Sequence, residues 1–128
     1  MKVIIHTKRV YETAAPGDGY RILVDRLWPR GIRKEELVLD EWAKDLAPSS
    51  ALRKWFDHQT ERFPEFTERY KAELDSNPDA LERILGIAAR QPLTLLYAAR
   101  NTELNQAKVL QEVLEDMISR QGNQRQEQ

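Results

Sequence analysis

A chain of 128 residues with 20 Lys and Arg against 21 Asp and Glu has a formal net charge of -1 and the size of one domain. With 41% hydrophobic and 32% charged residues, it is neither a disordered chain nor, by default, a strongly basic nucleic-acid binder. The absence of cysteine excludes disulfides, thiolate metal sites and cysteine nucleophiles together.

The opening Lys2-Val3-Ile4-Ile5-His6-Thr7 is β-branched and bounded by polar residues, which predicts a strand. Its apolar run is too short for a signal peptide, and no later stretch reaches the ~18 residues of a membrane span. A soluble, cytoplasmic protein without membrane contact is expected. Turn formers follow from Ala14 to Gly19, and Tyr20 to Asp25 read as a second strand that ends before Pro29, which cannot donate to a ladder. A third strand around Leu37 to Trp42 carries the weakest signal. Pro48-Ser49-Ser50 opens a helix with Leu52, Trp55 and Phe56 on one face. Pro64 opens another with Phe66, Tyr70 and Leu74, and Asn77-Pro78 a third with Leu81, Ile84, Leu85 and Ala88. Pro92 closes that helix. Leu93 to Ala98 is nearly continuous in apolar residues, as in a strand buried on both faces. The last helix runs from about Glu103 to Ile118 along Ala107, Leu110, Leu114 and Met117. Residues 1–118 then form one domain and 119–128 a flexible tail. The order of elements predicts an α/β fold: a compact single domain with a small, mainly parallel sheet and helices packed around it.

Charge is uneven along the chain. Residues 1–34 carry a net +5, residues 35–82 a net -7 and residues 83–128 a net +1. Such a dipolar surface either steers an anionic partner or is simply a pair of solvated faces. Asp25-Arg26-Leu27-Trp28-Pro29-Arg30-Gly31-Ile32-Arg33 places three arginines around a tryptophan just after a strand. Guanidinium forks match phosphate and carboxylate oxygens, and an indole offers a flat face to a base. Equally, Trp28 is a core residue and Asp25 pairs with Arg26 or Arg30 to hold the loop. A second constellation, Tyr97-Ala98-Ala99-Arg100-Asn101 with Asn105, lies where a buried strand passes into a helix. Ligands of open α/β sheets settle there. The bland alternative is that Asn101 or Thr102 caps the helix and Arg100 pairs with an acid. If the strands are parallel neighbours, Arg26, Arg30 and Arg100 converge, and Arg9 after the first strand joins them. His6 and His58 lack metal-ligand spacing, so no metal or cofactor is expected.

In these residues the chain resembles the YeaO-like proteins, a branch of the domain-of-unknown-function family four-eighty-eight. The resemblance spans Ile4 to about Leu114. Beside the arginine loop it is carried by Leu39-Asp40-Glu41-Trp42-Ala43-Lys44-Asp45-Leu46-Ala47-Pro48-Ser49, Leu52 to His58, Phe63, Phe66, Arg69, Tyr70, Leu74 and Leu95 to Ala99. It implies a small α/β fold and brings no activity with it. Similar YeaO-like proteins often read Lys-Asp where this chain has Arg100-Asn101, with a His where Leu104 stands. The wider family often shows Cys-x-Glu at Tyr97-Ala98-Ala99. An acid, a histidine and a thiol are therefore missing where acid/base or nucleophilic work is expected.

The functional expectation is a site for a phosphorylated, carboxylated or nucleotide-like ligand. Arg9, Arg26, Arg30 and Arg100 grip the anion, Trp28 and Tyr97 line the site, and Asn101 and Asn105 orient polar groups. The alternatives are a nucleic-acid-associated protein using the basic block, or an interaction module presenting Trp42, Trp55 and Phe56. Catalysis would take the form of a hydrolase or transferase acting on an anionic substrate, but no general base or nucleophile presents itself.

Overall fold

A computed structural model describes residues 2–126, with side chains as far as Gln121. Four strands, β1 (Ile5–Arg9), β2 (Tyr20–Leu23), β3 (Glu41–Trp42) and β4 (Leu93–Tyr97), form one sheet in the order β1-β4-β2-β3. Every pairing is parallel, so all the strands end on the same edge. The helices are α1 (Ser50–Phe56), α2 (Phe63–Asp75), α3 (Pro78–Ala88) and α4 (Gln106–Gln126). The expected α/β domain with a parallel sheet is present, and β4 is an interior strand with every residue buried.

Period-two alternation divides the sheet into two faces. Ile5, Ile22, Val24, Leu93, Leu95 and Tyr97 join the helical core, which includes Leu52, Phe66, Tyr70, Ile84, Leu110 and Leu114. Among the described residues, no helix side chain joins the cluster on the opposite face. There Val10, Leu23 and Leu96 are roofed by the loop that follows β2, through Trp28, Ile32, Leu37 and Leu39, and by Trp42 of β3. The second face thus needs no helix of its own in its apolar cluster. This is possible because a loop rich in large apolar side chains removes the same water from the second face.

Further along that face the surface turns polar. Asp18 accepts the Ala15 N–H at 3.0 Å, the Lys8 ammonium at 3.1 Å and the Arg21 guanidinium. Thr94 donates to the Asp18 carbonyl at 2.7 Å, and Arg21 Nε to the Val38 carbonyl at 2.7 Å. Gly19 makes the approach of this loop possible. Its φ is +65°, and a Cβ there would lie 2.1 Å from the Pro92 carbonyl oxygen, which already takes the Tyr20 N–H at 2.8 Å.

Several boundaries differ from the sequence reading. β1 starts later, so Lys8 and Arg9 lie within the strand. β3 shrinks to two residues. α4 begins at Gln106 because Asn105, not Asn101 or Thr102, caps it, its Oδ1 accepting the Lys108 N–H at 3.1 Å. The helix continues past Ile118 through most of the segment expected as a tail, while residues 127 and 128 lie outside the described part. Among the described residues no helix is long and apolar enough to cross a membrane.

β1 is an edge strand. Ile4 C=O takes the Leu93 N–H and Val10 N–H reaches the Tyr97 carbonyl, so in a parallel ladder Ile5, Thr7 and Arg9 turn their backbone groups outward. Gln111 of α4 donates to the Ile5 carbonyl at 2.8 Å. Glu12 accepts the Arg9 N–H at 2.7 Å through its carboxylate and returns its own N–H to the Arg9 carbonyl at 3.0 Å.

After α1 the chain turns through two consecutive left-handed residues, Asp57 (φ 48°) and His58 (φ 55°). That conformation costs an L-residue about 1–2 kcal/mol. Since glycine adopts it freely but loses more entropy on folding, His58→Gly is expected to gain about 0.5–1 kcal/mol in a urea titration. A loss of stability would show that the His58 side chain supports the turn.

Candidate functional site

With all strands parallel, the segments after β1, β2 and β4 leave the sheet on one edge, the position at which open α/β sheets hold ligands. A chain of contacts ties the three together. The Tyr11 hydroxyl, just after β1, donates to the Arg30 carbonyl in the loop after β2 at 3.0 Å. The Arg9 guanidinium lies 4.9 Å from the centre of the Tyr11 ring. Its Nε donates to the Ala99 carbonyl at 2.9 Å and its Nη2 to the Ala98 carbonyl at 3.3 Å. The segments that carry Arg9, Arg30 and Arg100 are therefore neighbours.

The side chains divide into committed and uncommitted groups. Arg9 is fixed by the Ala98 and Ala99 carbonyls. Arg26 turns to the chain before α1, with Nε 2.9 Å from the Pro48 carbonyl and Nη2 3.4 Å from those of Lys44 and Ala47. Trp28 is half-buried, edge-on to Trp42 with ring centres 5.3 Å apart, and its Nε1 donates to the Ile32 carbonyl at 2.6 Å. It is part of the roof of the second face. Tyr97 is buried in the helical core. Asn101 is exposed and folds its Oδ1 back on the N–H groups of Glu103 and Leu104, both at 2.9 Å. Asn105 is buried, donating to the Asn101 carbonyl at 2.9 Å while it caps α4. Arg30 and Arg100 are exposed, and neither guanidinium has a hydrogen-bond or ion-pair partner among the described residues.

The sequence reading did not single out the most unusual group of this edge. Asp25, two residues beyond β2, does not pair with Arg26 or Arg30. One carboxylate oxygen accepts the Ala98 N–H at 2.9 Å, and the other accepts the side-chain amide of Gln106, the first residue of α4. Trp42 Nε1 donates to the Asp25 carbonyl at 2.7 Å. Burial pushes the Asp25 carboxyl up to about 6, against the two hydrogen bonds and the more distant Arg53, all of which favour the charged form. The place between strand ends and helix start is thus occupied by the chain's own carboxylate. A carboxyl directly after a strand, eighty residues before a polar helix start, is too common a pattern to be noticed in a sequence.

The basic block is also less available than its charge suggests. Lys8 and Arg21 face Asp18, Arg9 and Arg26 face carbonyls, and Arg33 pairs with Glu36. Of the proposed interaction face, Phe56 is buried and Trp55 packs against the core, its ring approached by the guanidinium of Arg69 at 4.4 Å. Two surface hollows lie elsewhere, one between α2, α3 and α4 and the other beside Tyr20 and Arg83. Among the described residues no group of three His, Cys, Asp or Glu gathers as metal ligands would.

Comparison with known proteins agrees with the motifs. The uncharacterized protein YeaO of Escherichia coli K12 is 51% identical over 113 residues, which are 88% of this chain and 98% of that protein. The uncharacterized protein Rv3073c of Mycobacterium tuberculosis H37Rv is 44% identical over 110 residues, 86% of this chain and 92% of that one. No solved structure matches. A family model described as the inactive DUF488-N3 subclade matches residues 4–128, and the chain belongs to that family.

Proposed function

We propose that this protein binds a small anionic ligand, phosphorylated, carboxylated or nucleotide-like, at the rim formed by the loops after β2 and β4, with Arg30 and Arg100 supplying the charge. The observation that carries the reading is the Tyr11–Arg9 bridge, which ties the Arg30 backbone to the carbonyls of Ala98 and Ala99. Two exposed guanidiniums on tethered loops, each without an acid of its own among the described residues, favour an anion that can accept both forks. Arg9 and Arg26 shape the rim from behind, since their donors face backbone carbonyls. Binding without catalysis suits the surroundings, because both oxygens of Asp25 are already occupied by donors of the chain. The word inactive in the family's description points the same way.

Thermal melts with sulfate, phosphate, nucleotides and sugar phosphates test this. A ligand at a hundredfold its dissociation constant stabilises by about 2.7 kcal/mol. The expected result is a rise in midpoint with at least one anion that Arg30→Ala and Arg100→Ala each remove. A flat response to the whole panel, or a rise that survives the double variant, would overturn the reading.

A further inference from the structure

Helices α2, α3 and α4 enclose a hollow of about 570 Å³ that shares no residue with the rim. Its floor is apolar. Leu110 and Leu114 of α4 are fully buried in the core, but Val113 and Met117, one helical turn apart, are only half-buried. These two line the hollow together with Leu81 of α3. The apolar stripe of α4 is thus wider than the surface that α2 and α3 cover. The walls carry a surplus of one charge. Asp75 of α2, Glu82 of α3, and Glu112 and Asp116 of α4 stand against two cations, Lys71 and Arg120. Both cations are already paired with α4, Lys71 with Glu112 at 3.7 Å and Arg120 with Asp116 at 2.8 Å. Asp75 and Glu82 are exposed, and neither has an ion-pair partner among the described residues.

We propose that this hollow is the docking groove for a basic amphipathic helix of a partner protein. Its apolar side chains lie on Val113 and Met117, and its Lys or Arg residues lie beside Asp75 and Glu82. Two properties of the groove choose this occupant. Every lining residue belongs to a helix, so no strand edge is on offer to an extended peptide and recognition falls to side chains. The surplus of carboxylates repels nucleic acid, anionic lipid and acidic segments, and attracts a cationic one. A helix laid along α4 brings apolar residues at i, i+3 and i+4 onto the floor and cations to either side. A second copy of the chain fits less well. Its exposed large apolar residues, Ile4, Tyr11, Leu27 and Val38, all lie outside the helices.

The probe is a synthetic peptide of about 18 Leu and Lys residues, ordered to present one apolar face as a helix. A peptide of the same composition in scrambled order keeps the charge and loses the face. Fluorescence anisotropy at about 150 mM salt measures both against the full chain. The patterned peptide is expected to bind at least about tenfold more tightly than the scrambled one. Glu82→Lys on the wall and Met117→Gln on the floor should each weaken it at least about fivefold. Arg30→Ala and Arg100→Ala should leave it unchanged, so the groove and the rim stand or fall separately. Glu82 is exposed, which keeps the test valid even if Met117→Gln folds poorly. Equal binding of the two peptides would mean attraction by charge alone and overturn the docking groove. So would no binding, or binding that both variants leave intact. Light scattering completes the test: a dimer that Met117→Gln splits would show that a second copy covers the groove, and would overturn the partner helix.

Discussion

Asp18→Ala is expected to destabilise the protein by about 3–5 kcal/mol, the usual result of removing one partner from a buried ion pair. Asp18 is only 7% exposed and Arg21 3%, so the guanidinium left behind has little water to turn to. It keeps the Val38 carbonyl and loses its counter-charge. Lys8, nearer the surface, suffers less. Burial alone would raise the Asp18 carboxyl, but the Ala15 N–H and the charges of Lys8 and Arg21 outweigh it and hold the group below its ordinary value of 3.8. A carboxyl lowered on folding stabilises above its unfolded pKa, and that contribution is lost as the pH falls through the folded one. The wild type should therefore lose stability steeply below about pH 4, with a shallower loss in Asp18→Asn. Urea titrations between pH 2.5 and 7 measure both effects. A change below 1 kcal/mol for Asp18→Ala would mean that the network is replaceable.

Asp25→Asn is expected to act in the opposite direction, stabilising the protein at pH 7 by about 2 kcal/mol. A carboxyl raised from 3.8 to about 6 on folding opposes the folded state once ionised. The sign follows from proton counts. Between those two values the folded chain holds a proton that the unfolded chain has released, so stability falls as the pH rises. Below about pH 4 the penalty vanishes, and above about pH 6 it is complete. Asparagine keeps an acceptor for Ala98 N–H, and a turned Gln106 amide can accept from its NH₂ group. The advantage of Asp25→Asn should thus grow from near zero at pH 4 to its plateau at pH 7 in thermal melts. A variant less stable than wild type at pH 7 would mean that the charge itself holds the loop.

Strands β1, β2 and β4 and all four helices were readable because each carries a pattern that tolerates one conformation. Leu93 to Ala98, apolar on both faces, could hardly be anything but an interior strand, and it lies between β1 and β2. The roof over the second face was not readable, since Trp28, Ile32, Leu37 and Leu39 have no common period. They cover the sheet by the path of an irregular loop. The arginines show a different limit. Charge counting detects carboxylate partners, but a carbonyl oxygen is present at every residue and leaves no trace in composition. Arg9 and Arg26 met carbonyls, whereas Arg30 and Arg100 met neither carbonyl nor acid among the described residues. Nor does any local signal reveal that Asp25 reaches Gln106, a contact that exists only once β4 has been inserted beside β2.

The dressing of β1 by Gln111 and Glu12 bears on how this molecule behaves when concentrated. Fibrils and runaway oligomers grow by adding a foreign strand to a free ladder, which takes several successive rungs. Here the Ile5 carbonyl and both Arg9 groups are already taken, leaving Thr7 to offer a single full rung. At the far border β3 is two residues long. Two side chains and one abbreviated strand thus leave a fully parallel sheet few free rungs at its two borders.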